Sequence, residues 1–181
     1  ELIQNGIQKP FYILPMGVDE RTLLQSRKKE KDTSNNKSRI LTYVGSLRNV
    51  DELFLIIKRL LEKTEETVTI KVIARETSEL NKLNNRKFRE HMNNLNEDLR
   101  KRIHLKTDLA LEETLEEIST SDIGISYIPE NKLYWESSPT KTYEYLLMAK
   151  PCVASNTVEE HCLLFQEKSF LDLSSNNIEE F

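Results

Sequence analysis

The stretch Ile40-Leu41-Thr42-Tyr43-Val44-Gly45-Ser46 begins the part of the chain that decides the fold. It is a short apolar run closed by a glycine and a serine, which predicts a buried strand. From Asp51 to Glu62, apolar residues recur at three- and four-residue spacing, which predicts an amphipathic helix. Val68 to Ala74 is apolar and rich in β-branched residues, and it predicts a second strand. A helix between two strands indicates a parallel pair with a right-handed crossover.

The alternation of strands and helices continues to the end of the chain. Further helices are predicted from Leu80 to about Leu99, at Leu111–Ile118, after Pro139 and at 158–165. Further strands are predicted at 103–105, 122–128, 152–154 and 170–173. The pattern predicts an α/β, Rossmann-like domain of three layers with a mostly parallel sheet. Ligands of such sheets bind outside the carboxyl ends of the strands.

Composition indicates a globular protein on the polar side. The chain has 181 residues, of which 38% are hydrophobic and 31% charged, and its net charge is −4. This charge balance does not predict a nucleic-acid partner, and no apolar run approaches the ~20 residues that span a bilayer. The two cysteines, Cys152 and Cys162, lie in apolar contexts. We expect both thiols to be reduced and buried, which indicates the cytoplasm.

The segment from Trp135 to Tyr145 carries the first candidate site. Pro139 suits the first position of a helix, and Ser138 suits the cap before it. Thr140, Lys141 and Glu144 then share one helical face. Lys141 stands in the first turn, where the helix dipole favours negative charge. The helix alone leaves two interpretations open, a bound anion beside Lys141 or a lysine that points to water.

Several kinds of chemistry have no support in the sequence. The three histidines, His91, His104 and His161, are far apart and lack metal-ligand spacing. The nucleophile elbow, the dinucleotide glycine fingerprint and the P-loop are all absent from the sequence.

One interpretation of Glu136 and Glu144 is that they are the acid and base of a hydrolase. No apolar aromatic pocket that would raise the pKa of an acid is predicted around them. A carboxylate beside an anion site binds sugar hydroxyls instead. Arg48 follows Gly45 and is either a phosphate ligand or a surface arginine.

Four segments together resemble a known enzyme family. Ile13 to Asp19 is similar to an interdomain "lPnGvD" segment, and Ile40 to Leu47 to a first strand with its glycine turn. Glu136 and Glu144 preserve a signature of two glutamates separated by seven residues. Glu144 to Ala154 is similar to "EymamGkPVvas". In this order, the segments resemble the C-terminal, donor-binding half of the retaining GT-B glycosyltransferases.

The resemblance implies a function and a division of roles. The full-length protein is expected to transfer a sugar from a nucleotide-diphosphate sugar, with retention and without a tightly bound metal or other cofactor. Glu136, Lys141 and Arg48 are the expected catalytic residues, with Glu136 at the donor sugar and the two cations at the diphosphate. Glu144 is expected to bind the ribose. The remaining expected donor-binding residues are Gly45, Ser46, Ser137, Ser138, Pro139 and Thr140.

The resemblance also implies a domain arrangement. Residues 1–38 are expected to form the interdomain segment and a polar connector, and 39–181 the donor-binding domain. The N-terminal, acceptor-binding half of such enzymes does not match any part of the chain. We therefore expect the chain alone to bind nucleotide without catalysing transfer. A glycan or lipid-linked acceptor, peripheral contact with a membrane and a role in polysaccharide biosynthesis are expected of the full-length enzyme.

The sequence departs from the family at two turns. Ser46 stands where the family often has arginine, and Asn49-Val50-Asp51 replaces a lysine-glycine pair. Ala74-Arg75-Glu76 replaces a glycine-rich turn. Two alternatives remain, a non-catalytic sugar-nucleotide-binding module and a receiver-like signalling domain. The receiver needs a pair of acids after the first strand, where this chain has Gly45-Ser46.

Overall fold

Parallel strands form the centre of the protein in the computed structural model, which describes residues 38–65, 67–156, 158, 159, 161 and 162. The strands are β1 Arg39–Val44, β2 Val68–Ala74, β3 Ile103–Thr107, β4 Ile123–Ser126 and β5 Cys152–Ala154. Each pairs in parallel with its neighbours in the order β3-β2-β1-β4-β5. The chain order therefore reverses between β1 and β4, which places a topological switch point there. The predicted interdomain segment at 13–19 and the predicted strand at 170–173 lie outside the described residues, as does half of the helix predicted at 158–165.

Helices connect the strands within the described residues. They are α1 Val50–Lys63, α2 Glu79–Asn93, α3 Glu97–Lys101, α4 Leu111–Ser119 and α5 Thr140–Leu147, with a single 3₁₀ turn at Lys132–Tyr134. The apolar stripe of α1 packs against Tyr43, Ile70 and Val72 of the sheet. Residues of α4 and α5 form a second cluster with Val44 and β5. Tyr43 and Val44 point to opposite faces because side chains alternate along a strand. The prediction of a Rossmann-like, three-layer α/β domain is confirmed.

Three local predictions were wrong. The helical segment predicted up to Leu99 is two helices, because Asn94 ends α2 and the side chain of Asn96 caps α3 by accepting from Leu99 N at 2.9 Å. Ser138 is not the cap of α5, since Pro139 occupies that position and the helix begins at Thr140. Cys152 is buried as expected, but Cys162 is exposed.

The C-terminal end of α1 is closed by a buried arginine. The guanidinium of Arg102 donates to the carbonyl oxygens of Leu61, Glu65 and Val68 at 2.7–3.0 Å. It also donates to the hydroxyl of Thr64 at 2.9 Å. Terminal carbonyls of a helix have no partner within the helix, and Arg102 supplies several donors from a single planar group. This contact fixes α1 against the start of β2, at the end of the sheet opposite the cleft described below.

Candidate functional site

A cleft of about 500 Å³ opens at the carboxyl ends of β1, β2 and β4. It is bordered by the turn after β1, the turn after β2, the loop after β3 and the segment that leads into α5. Polar residues that line it are Ser46, Arg48, Asn49, Arg75, Thr114, Ser137, Ser138, Thr140, Lys141 and Glu144. The cleft lies at the switch point of the sheet, where ligands of open α/β sheets bind.

Lys141 is the most unusual side chain of the cleft. It is only 9% exposed, its Nζ donates to the carbonyl oxygen of Tyr127 at 2.7 Å, and it lies 4.3 Å from the centre of the Tyr43 ring. Burial lowers the pKa of Lys141 to about 7, against the opposite effects of Cys152 and Glu144. The lysine therefore does not point to water, which was one of the two interpretations that the sequence left open. No carboxylate lies within 4 Å of Nζ among the described residues.

Glu144 stands one helical turn after Lys141 and also lines the cleft. Its side chain is partly buried, and burial raises the pKa of its carboxyl group. The charges of Arg75 and Lys141 act in the opposite direction. Glu144 is the only carboxylate that lines this cleft in the described part of the chain, and three cations, Arg48, Arg75 and Lys141, line it with Glu144.

The turn after β1 brings the backbone close to Lys141. Gly45 has a φ of 149°, which side chains rarely permit, and a Cβ there would lie 3.1 Å from the Tyr43 hydroxyl oxygen and 3.6 Å from Lys141 Nζ. The Tyr43 hydroxyl donates to the carbonyl oxygen of Ser46 at 3.0 Å, which fixes the turn. Arg48 follows on the exposed rim of the cleft.

The segment before α5 supplies hydrogen-bonding groups without partners. Ser138 Oγ is buried and has no hydrogen-bond partner within the residues that the structure describes. The first N–H groups of a helix have no partner inside the helix, and no side chain caps those of α5. A buried ammonium, a hydroxyl without a partner and an uncapped helix start therefore line the same cleft, an arrangement that suits an anion.

The structure brings together most of the predicted site residues. Arg48, Lys141 and the seven predicted donor-binding residues, Gly45, Ser46, Ser137, Ser138, Pro139, Thr140 and Glu144, all line the cleft. Glu136 is exposed and does not line it. The roles of these residues stay predictions.

Sequence reasoning missed Arg75 as a candidate site residue. It directly follows β2, and its side chain lines the cleft near Glu144. The signal was present, since a charged residue at the carboxyl end of a parallel strand is at the ligand-binding edge of the sheet.

Metal-binding clusters and membrane-spanning helices are absent from the described residues. No group of three or more His, Cys, Asp or Glu side chains there is arranged to hold a metal ion. No helix in this part of the chain has the length and apolar character that crossing a membrane requires.

Solved structures with the same fold are glycosyltransferases. The chain superposes on α,α-trehalose 6-phosphate synthase from Burkholderia multivorans with a TM-score of 0.68 and 12% identity, over 91% of this chain and 40% of that protein. The UDP-forming α,α-trehalose-phosphate synthase from Burkholderia xenovorans gives 0.67 and 13%, over 92% and 41%. WaaG, a glycosyltransferase involved in lipopolysaccharide biosynthesis, gives 0.60 and 15%, over 94% and 45%.

The chain has the fold of one half of a GT-B glycosyltransferase. It spans about two fifths of the length of these structures. Identities of 12–15% establish the fold and not the reaction. No protein-family model matches the sequence, and no curated protein matches it significantly.

Proposed function

We propose that this chain is the donor-binding domain of a retaining glycosyltransferase, which takes a sugar from a nucleotide-diphosphate sugar and transfers it to a glycan or lipid acceptor. The observation that carries the proposal is the charge of the cleft. A chain of net charge −4 places three cations and one carboxylate around a cleft at the start of α5. Such a site suits a ligand with a strongly anionic part and a hydroxyl-bearing part.

The diphosphate belongs at the start of α5. Lys141 supplies a charge in a site where little water screens it, and Arg48 supplies a second charge at the rim. The N–H groups of the first turn and Ser138 Oγ supply hydrogen-bond donors. When the bond between the sugar carbon and the diphosphate oxygen breaks, negative charge develops on that oxygen. Preorganised donors of this kind stabilise such a leaving group.

The ribose belongs beside Glu144. A carboxylate accepts hydrogen bonds from vicinal hydroxyl groups, and Glu144 lies one turn further along α5 than the anion site. The charges of Arg75 and Lys141 favour the carboxylate form of Glu144, which is the form that accepts these hydrogen bonds. Glu136 is assigned to the donor sugar, at the exposed end of the segment that precedes the helix.

The whole enzyme requires the other half of the fold to bind the acceptor. We assign it to the cytoplasm, since Cys152 and Cys162 are both free thiols, and to polysaccharide biosynthesis, with peripheral contact to a membrane when the acceptor is lipid-linked. The donor is held by side chains and backbone, so the proposal includes no metal or other cofactor.

One observation favours a second candidate, a non-catalytic sugar-nucleotide-binding module. Glu136 is outside the cleft in this structure.

Binding assays test the donor site. Isothermal titration with UDP, GDP, ADP and inorganic pyrophosphate should show binding of pyrophosphate and of at least one nucleotide. Glu144→Gln should weaken nucleotide binding about tenfold by removing a charged hydrogen-bond acceptor, while pyrophosphate affinity changes less than about twofold. Glu62→Gln, on the exposed end of α1, is the matched control. Absence of binding by all four compounds at millimolar concentration would refute the proposal.

A transfer assay separates the enzyme from the non-catalytic module. In the full-length protein, Glu144→Ala should abolish sugar transfer if the enzyme proposal holds. A full-length protein that binds nucleotide sugar with intact Glu144, yet transfers no sugar to glycan or lipid acceptors, would favour the module.

A further inference from the structure

Arg75 stands apart from the diphosphate end of the cleft. It is the first residue after β2, its side chain is exposed, and it lines the cleft. Apolar residues that line the cleft from the same direction are Leu109, in the loop after β3, and Leu111, the first residue of α4. The side of the cleft over β2 and β3 therefore combines apolar surface with one guanidinium.

The backbone on both sides of Arg75 is fixed by hydrogen bonds. Asp108 N donates to the carbonyl oxygen of Ala74 at 3.0 Å, and Glu76 N donates to Asp108 Oδ1 at 2.7 Å. Asn85 Nδ2 donates to the carbonyl oxygen of Arg75 itself at 3.2 Å. Asp108, the first residue after β3, has a positive φ of 55°. The turn is a rigid base from which the Arg75 side chain projects.

The carboxylates closest to Arg75 do not neutralise it. Glu76 Oε1 accepts from Arg89 and from Asn85, each at 3.0 Å. Glu144 affects Arg75 electrostatically without forming an ion pair with it. No ion pair in the described part of the chain uses the Arg75 guanidinium. Its N–H groups are therefore available to a ligand.

The position of Arg75 along the cleft matches the nucleobase, a step that rests on the proposed function. The diphosphate is assigned to the first turn of α5 and the ribose to Glu144, one turn further. The base then lies beyond Glu144, over the ends of β2 and β3, where Leu109 and Leu111 offer apolar surface to its ring.

The chemistry of the Arg75 guanidinium limits which nucleobases it can bind. Arginine donates hydrogen bonds and accepts none. Uracil has a keto oxygen at O4 and guanine has one at O6, whereas cytosine and adenine carry amino groups, which are donors, at the corresponding positions. A guanidinium that faces this edge of the base therefore binds uracil or guanine and is left without an acceptor by the amino group of cytosine or adenine. Thr114 also lines the cleft, but it is only 7% exposed.

We propose that Arg75 donates to O4 of uracil or O6 of guanine and thereby selects a uracil or guanine nucleotide over adenine and cytosine nucleotides. Arg75 is thus a specificity-determining residue of the donor site. It donates a hydrogen bond to the base, while Lys141 and Arg48 neutralise the diphosphate.

Titrations with UDP, GDP, ADP, CDP and pyrophosphate test this assignment. UDP or GDP should bind the wild-type protein at least about tenfold more tightly than ADP and CDP, as a charge-assisted hydrogen bond predicts. Arg75→Gln should remove this difference by weakening UDP or GDP, and it should leave pyrophosphate affinity within about twofold. Arg86→Gln on exposed α2 makes the same charge change away from the cleft and should alter none of the affinities.

The outcomes separate this inference from the proposed function. Equal affinity for all four nucleotides would overturn the role of Arg75 and leave the donor site standing. An Arg75→Gln variant that weakens pyrophosphate as much as UDP would place Arg75 on the phosphates and also overturn it. Binding of none of the compounds would refute the proposed function and the inference with it.

Discussion

A lysine buried without a carboxylate partner costs stability, and Lys141 is such a residue. The carbonyl oxygen of Tyr127 and the face of the Tyr43 ring stabilise its ammonium only in part. The lowered pKa of about 7 records the remaining cost of burial. A bound anion would restore the lost electrostatic stabilisation, so the strain at this residue points to a ligand.

Binding of a nucleotide sugar should depend on pH through Lys141. Its pKa of about 7 means that the ammonium loses its proton as the pH rises above 7. A bound diphosphate favours the ammonium, so complex formation takes up a proton above this pH. We expect the dissociation constants of UDP-glucose and GDP-mannose, whose diphosphates keep the same charge in this range, to rise about tenfold from pH 6.5 to pH 8.5. Calorimetry in buffers of different ionisation enthalpy measures both the dissociation constant and the number of protons taken up. A dissociation constant that does not change with pH, without proton uptake, would contradict the pairing of Lys141 with the diphosphate.

Replacing Lys141 should increase the stability of the protein in the absence of added nucleotide. The pKa of Lys141 in the folded state, about 7, lies below the ordinary lysine value of about 10.4, so the unfolded state binds more protons between these values. Stability of the wild type should therefore rise with pH across that window. Lys141→Met should raise the free energy of unfolding at pH 7 by about 2 kcal/mol and abolish pyrophosphate binding.

Urea denaturation at pH 7 and pH 9.5 checks this expectation, with exposed Lys101→Met as the control. The gain in stability should shrink at the higher pH, where the wild-type lysine is neutral. A Lys141→Met protein less stable than wild type at pH 7 would show that the ammonium contributes to folding.

Helix α5 positions Lys141 and Glu144 because Tyr145 anchors it to the sheet. The fully buried Tyr145 hydroxyl donates to the carbonyl oxygen of Thr42 at 2.9 Å and accepts from Val44 N at 2.9 Å. Gly124 of β4 makes room for the ring, since a Cβ there would overlap the ring atoms. The helix start is also held by Thr142, which shares a buried hydrogen-bond network with Ser126 and His161.

Gly124→Ala should therefore displace α5. The added methyl overlaps a ring that has no free space, so we expect a loss of about 2–3 kcal/mol in the free energy of unfolding. Nucleotide affinity should fall as well, because Lys141 and Glu144 move with the helix. Chemical denaturation and calorimetry measure the two effects. An alanine variant with wild-type stability would show that the Tyr145 ring leaves room for a methyl group at position 124.

At the scale of the whole molecule, local patterns predicted the elements and missed contacts between distant segments. Val68 to Ala74 and Cys152 to Ala154 were predicted to the residue, since β-branched or apolar runs bounded by polar residues mark buried strands. Local pattern could not reveal that Arg102 closes the end of α1, because its partners lie 34–41 residues away in the sequence.

In the candidate site, too, local sequence patterns did not predict the contacts between distant segments. The helical pattern and the resemblance together predicted Lys141 and Glu144 as site residues, and the structure places both on the cleft. Burial of Lys141 depends on Tyr43 and Tyr127 from other strands, which no local window contains. The exposed position of Glu136 depends on the path of the loop before α5, and spacing along the sequence does not determine that path.

The most direct test of the donor site is a crystal structure of the protein soaked with UDP or GDP. We expect the diphosphate at the first turn of α5, with an oxygen within hydrogen-bond distance of Lys141 Nζ. We expect the ribose hydroxyls to donate hydrogen bonds to the carboxylate of Glu144. A nucleotide bound outside the cleft, or a diphosphate that contacts neither Lys141 nor the start of α5, would contradict it.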